Sequence, residues 1–218
     1  MSCQDFTNLP SNWKIPTIQT ELQVSDNIKK GDIYRGIEIQ DDPWIQMACQ
    51  EATDSVASGG GPFGAVILRV DSETHQILEY WKNHNHSQEW SDPTAHAEIS
   101  TIRMVCGDLA RRFGQNVFHL DRIVDPETGR ESYAVIYSSC EPCPMCYSAI
   151  CWAKIPFLIF GATRFDAAAP GVEFSDADIY QEFKMAYPNR QLSRVFQSSC
   201  HNSLDAFQCW KDGDHGTY

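Results

Sequence analysis

The residues whose types and spacing could do chemistry are His96-Ala97-Glu98 and, further along, Pro142-Cys143-Pro144-Met145-Cys146. One imidazole and two thiolates make a ligand set for Zn2+ that leaves the fourth tetrahedral position to water, the pattern of a catalytic zinc site. Zinc brings the pKa of bound water to about 7, and the Glu98 carboxylate, two residues beyond the histidine, could carry its protons. The expectation is one Zn2+ per chain on His96, Cys143 and Cys146, with Glu98 as acid and base. Each piece alone is weak, because Cys-x-x-Cys also serves as a redox pair, half of a structural zinc site or two buried thiols. Cys140 offers a further thiol but precedes the helix, so packing against the site is expected of it.

These side chains need elements that bring them together. Cysteines three apart at a helix start share one face, where the dipole and unpaired N–H groups favour thiolate. A helix over 143–152 therefore fits the second motif, and a helix from Asp92-Pro93-Thr94 to about Cys106 fits the first. Asp41-Asp42-Pro43 predicts the start of an earlier helix ended by Ser58-Gly59-Gly60-Gly61. Apolar stretches at 63–68, 76–82, 133–138 and 157–160 read as strands, the first two as a hairpin. A helix near 176–185, a short strand near 192–196 and a helix near 204–211 complete the order. The breakers Gly107, Gly114, Pro126 and Gly129 predict a long irregular connection over 107–132. Strands alternating with helices give an α/β fold, a three-layer α/β/α sandwich with a mixed sheet of about five strands. Residues 1–38 carry no sustained period and read as an N-terminal extension to a domain over 39–218.

Composition narrows the partners. The formal net charge of −12 argues against a nucleic-acid partner, which calls for a concentrated basic face, and favours a small-molecule substrate. Polar residues broken by Pro10 at the start give neither a signal peptide nor a membrane span. Nine cysteines, an odd number in a chain of this size, fit a reducing compartment, so a cytoplasmic protein is expected.

The motifs Pro62-Phe63-Gly64-Ala65-Val66-Ile67, Asp92 to Glu98, Ser139 to Cys146 and Asp166-Ala167-Ala168 resemble the cytidine deaminase superfamily, in its guanine deaminase branch. The order His-x-Glu then Pro-Cys-x-x-Cys is that of the zinc deaminases of nucleobases. The first three motifs are shared with tRNA adenosine deaminases and some cytosine deaminases, so they speak to the chemistry more than to the substrate. Gly171, Asp176, Ile179-Tyr180, Phe207-Gln208-x-Trp210 and terminal Tyr218 resemble the guanine deaminase tail. The resemblance implies hydrolysis of guanine to xanthine and ammonia in a homodimer whose tails cross between subunits. Tyr218 would then contact the purine in the partner, with Asn85, Phe63 and Ala97 as further substrate contacts and Asp176 or Glu173 as a second acid. Guanosine, other aminated heterocycles, tRNA adenosine, and a non-catalytic subunit with structural zinc are the alternatives. Presence of Glu98 separates the last from a catalyst, and a closed site with Cys140 as fourth ligand would favour it.

Overall fold

The structure, a computed structural model, describes residues 32–34, 36, 37 and 39–213. Of the proposed extension, a short 3-10 turn over Asp32–Tyr34 is described. The described chain falls into two compact units that meet in sequence between Phe174 and Ser175.

The first unit starts with α1, Pro43–Ala57, whose Asp42 cap accepts hydrogen bonds from the N–H groups of Trp44 (2.8 Å) and Ile45 (3.0 Å). It is followed by β1 (Gly64–Asp71), β2 (Ile77–His84), α2 (Ala97–Phe113), β3 (Ile123–Val124), β4 (Glu131–Cys140), α3 (Pro144–Trp152), β5 (Phe157–Ala162) and a one-turn α4 (Arg164–Ala167). Strands β2, β1 and β4 are antiparallel neighbours. The far side of β4 pairs antiparallel with β3 and parallel with β5, so the five-stranded sheet is mixed.

Alternation along the central strands builds two cores. Val66, Leu68 and Val70 of β1 and Val135 and Tyr137 of β4 cluster with Trp44 and Ala48 of α1. The intervening Ile67, Ala134 and Ile136 cluster with Val105 and Leu109 of α2 and Ile150 of α3. Every residue of β1 is buried, as expected of a strand covered on both faces. The three-layer mixed sandwich expected from the sequence is the fold observed. Gly64 marks the tightest contact, since a Cβ there would stand 2.5 Å from the Ala48 carbonyl oxygen and 2.6 Å from the Ala52 nitrogen.

Three expectations need correction. Helix α2 begins at Ala97 and not at Asp92-Pro93-Thr94, because Asp92 Oδ1 accepts the Thr94 N–H at 2.8 Å in a local turn that precedes the helix. Helix α2 continues through Gly107 to Phe113 and ends at Gly114 in the left-handed conformation, φ 64°. Burial of Leu109, one turn beyond Val105, outweighs the roughly 1 kcal/mol that glycine costs inside a helix. The connection over 107–132 therefore holds two helical turns and β3. In the second unit, α5 (Ala177–Lys184) and α6 (Asp205–Asp212) form as expected, but 192–196 is not a strand. Leu192, Val195 and Phe196 are exposed and join no sheet among the described residues, and an apolar run without a partner strand gains little from extension. Among the described residues no helix is long and apolar enough to cross a membrane.

Candidate zinc and catalytic site

Two helix starts carry the metal-type side chains. His96 occupies the cap position of α2 in extended geometry (φ −65°, ψ 161°), and Cys143 does the same for α3 (φ −62°, ψ 166°). Pro144 suits the first turn of α3, where no intrahelical N–H donor is required. The His96 side chain makes no cap bond to its own helix, and the Cys143 sulfur faces Cys146 of α3 and His96 together. Cys146, one turn along α3, is fully buried beside them.

His96 Nδ1 lies 3.6 Å from Cys143 Sγ and 3.4 Å from Cys146 Sγ. An ion about 2.0–2.1 Å from nitrogen and 2.3 Å from sulfur at tetrahedral angles would require an N–S edge of about 3.6 Å. The three donors fit Zn2+ both in spacing and in softness.

Electrostatics agree. Cys143 is drawn down to about 4, first by a hydrogen bond from Cys146 and, against burial, by His96. Cys146 is pushed strongly upward by its bond to Cys143 and by burial. One thiolate therefore forms readily, whereas a second beside it calls for a dication. Burial likewise raises Glu98 above the usual carboxylate range. Cys140 stands apart from the ligand group, with Sγ 3.6 Å from the Thr163 carbonyl and its thiol pushed up to about 12 by burial and then by Glu98.

Glu98 is 6% exposed and accepts a hydrogen bond from Ser138 Oγ at 3.1 Å on Oε1. Ser138 sits on β4 opposite Ala65 of β1, which ties the carboxylate to the end of the two central strands. Neighbouring Ser139 Oγ accepts the Gly64 N–H at 3.0 Å. Ser139 opens one of the quoted motifs but no role follows from its place there, and Ser138 lies outside the motifs; its one signal is that two small polar residues close the apolar run of β4.

The remaining expected contacts divide into three groups. Asn85 N–H donates to the Phe63 carbonyl at 3.1 Å, just past the register pair Gly64 and His84, so both residues lie at the same sheet end as Ser138. Phe63 meets Phe174 edge-on at 5.1 Å, and Ala97 is buried in the first turn of α2. Asn85 Oδ1 accepts the Ser87 N–H at 3.0 Å, a local turn bond. Asp176 belongs to the second unit as the cap residue of α5, while Glu173 is exposed in the first with φ 65°. Tyr218 lies outside the described residues.

A buried carboxylate beside an N/S2 metal site on a three-layer α/β/α sheet defines a zinc-dependent hydrolase. Residues 38–162 match the cytidine and deoxycytidylate deaminase zinc-binding region, and the chain belongs to that family of C–N hydrolases. It is 32% identical to guanine deaminase of Bacillus subtilis over 168 residues, 77% of this chain and 89% of that protein. A tRNA-specific adenosine deaminase of Haemophilus influenzae is 31% identical over 167 residues, 77% of this chain and 82% of the relative. The crystal structure of the Bacillus subtilis guanine deaminase superimposes with a TM-score of 0.63 at 34% identity, covering 80% of this chain and 96% of that one.

Proposed function

We propose that this deaminase acts on guanine, converting guanine and water to xanthine and ammonia. The observation that carries the reading is the match to guanine deaminase over 89% of its sequence and 96% of its solved chain. The net charge of −12 supports a free base over tRNA, whose phosphates call for a basic surface.

When bound by His96, Cys143 and Cys146, Zn2+ supplies a Lewis acid and lowers the pKa of a water molecule to about 7. Glu98 accepts the proton of the water that adds to the carbon bearing the exocyclic amine. It passes that proton to the ring nitrogen, then takes the proton of the newly added hydroxyl as the carbonyl forms and gives it to the amine, which leaves as ammonia. Ser138, donating to Oε1, holds the carboxylate in one orientation. Burial, which favours the protonated form, suits a group that must hand the proton on.

Asn85, Phe63 and Ala97 contact the base in this proposal, and Asp176, with Glu173 as the other candidate, is the second acid. Residues 39–218 act as one deaminase domain in a cytoplasmic homodimer, each tail bringing Tyr218 to the partner's site. The test is ammonia release from guanine, guanosine, cytosine, adenosine and a tRNA anticodon stem-loop. Turnover of guanine well above the others supports the proposal. Turnover of the stem-loop alone, weakened by salt, assigns the chain to tRNA instead.

A further inference from the structure

Outside the deaminase site, ligand atoms of His84, His86 and Glu89 lie within 4.8 Å of one another. The two imidazole centroids are 4.3 Å apart, and Trp90 stacks flat on His86 at 4.0 Å. The histidine side chains are 28% and 11% exposed, whereas Glu89 reaches the surface at 66%.

The hydrogen bonds around these rings set which nitrogens are available. Buried Asn83 accepts the His84 backbone N–H on Oδ1 at 3.0 Å, which identifies that end of the amide as oxygen. His86 Nε2, 2.6 Å from the same oxygen, must carry a proton. A neutral imidazole has one N–H, so Nδ1 would then present a lone pair. Yet Nδ1 stands 2.6 Å from Glu89 Oε2. Two lone pairs do not meet at that distance without a proton between them, and a tetrahedral metal ion held by both atoms would need them about 3.4 Å apart. His84 is arranged alike, with Nδ1 3.1 Å from Glu51 Oε1, leaving Nε2 as the available nitrogen. Glu51 is itself fixed by Lys82 Nζ, 2.7 Å from its other oxygen.

Metal-bound histidines almost always give their outer N–H to a carboxylate or carbonyl oxygen, which fixes ring and tautomer. Here both histidines have such a partner, and a carboxylate faces the inner nitrogen of one. We propose that His84, His86 and Glu89 form a second metal site, for a transition-metal dication such as Zn2+, separate from the deaminase zinc. Two imidazoles with a carboxylate select Zn2+ and its neighbours over Mg2+ or Ca2+, which prefer all-oxygen shells. The exposed Glu89 side chain is free to draw back from its 2.6 Å contact with His86 to the roughly 3.4 Å that two ligands of one tetrahedral ion require. The site fastens both neighbours of Asn85, so occupancy stiffens the loop at 85–92. Only that last consequence rests on the proposed role of Asn85 in binding guanine.

The test is zinc content of the full chain after equilibrium dialysis against Zn2+, read by elemental analysis. Wild type should hold two zinc ions per chain, and His86→Ala and Glu89→Gln one. Glu51→Gln, at a residue that touches no ion, should weaken the second site by about 10- to 100-fold. Because Glu89 is exposed, its variant should unfold at the wild-type temperature when both are stripped of metal, which keeps the test independent of a folding defect. Co2+ at the second site should add ligand-field absorption without the thiolate-to-metal band of the Cys143–Cys146 site. One zinc per chain in wild type, unchanged in the variants, overturns the proposal and makes His86 an imidazolium paired with Glu89. The metal count involves no substrate, so it stands or falls apart from guanine turnover.

Discussion

Glu98→Gln isolates proton transfer from every other part of the site. The substitution keeps size and shape, and the amide oxygen it introduces can still accept the Ser138 hydroxyl that now bonds Oε1 at 3.1 Å. Zinc ligation is untouched, since His96, Cys143 and Cys146 supply the three donors. The amide also relieves the cost of burying a carboxylate that is 6% exposed, so the unfolding temperature should stay level or rise. What is lost is a general acid–base, a loss of about 10^2- to 10^4-fold in rate. At about 1.36 kcal/mol per tenfold, the barrier rises by roughly 2.7–5.4 kcal/mol. Ammonia release from guanine at saturating substrate, with zinc measured on the same sample, reads both halves. A variant with full zinc and turnover within tenfold of wild type refutes the role of Glu98.

The other expectations concern ligands, packing and pH. Cys146→Ser, which removes a fully buried sulfur donor 3.4 Å from His96 Nδ1, should lose the deaminase zinc and with it ammonia release; retention of both contradicts the ligand set. Gly64→Ala forces a Cβ to 2.5 Å from the Ala48 carbonyl and should cost about 1–3 kcal/mol, a fall of about 2–12 °C by calorimetry; an unchanged midpoint contradicts the close packing of α1 on β1. The Asp71 carboxyl is held well below the usual range, first by the Thr74 N–H and next by Arg130. Its folded pKa is depressed, so its stabilisation is present above the unfolded value of about 4 and lost as pH falls through the folded one. Asp71→Asn should cost about 1–3 kcal/mol in urea unfolding at pH 7, with the gap to wild type narrowing below about pH 4. A gap independent of pH contradicts it.

Periodicity and punctuation carried most of the first unit. The Asp42-Pro43 cap, the apolar runs of β1 and β4 and the two metal motifs are local signals, and helix starts are where local chemistry is strongest. Gly107 misled because a breaker is a local cost, whereas the burial of Val105 and Leu109 that overrides it depends on the sheet beneath. Residues 192–196 misled in the opposite way, since β-rich composition cannot supply a partner strand. Ser138 was beyond reach because its bond to Glu98 joins residues forty apart in sequence. The contact of His84 with Glu51 joins residues 33 apart in sequence, which local signals do not carry either.

Metal removal and return is the most direct test of a zinc-dependent deaminase built on His96, Cys143, Cys146 and Glu98. The protein is stripped with a chelator, assayed for ammonia release from guanine, and reassayed as Zn2+ is added back. Ammonia should be absent from the stripped protein and return in proportion to the zinc that wild type, but not Cys146→Ser, takes up at this site. Undiminished ammonia release from protein free of zinc would contradict the account.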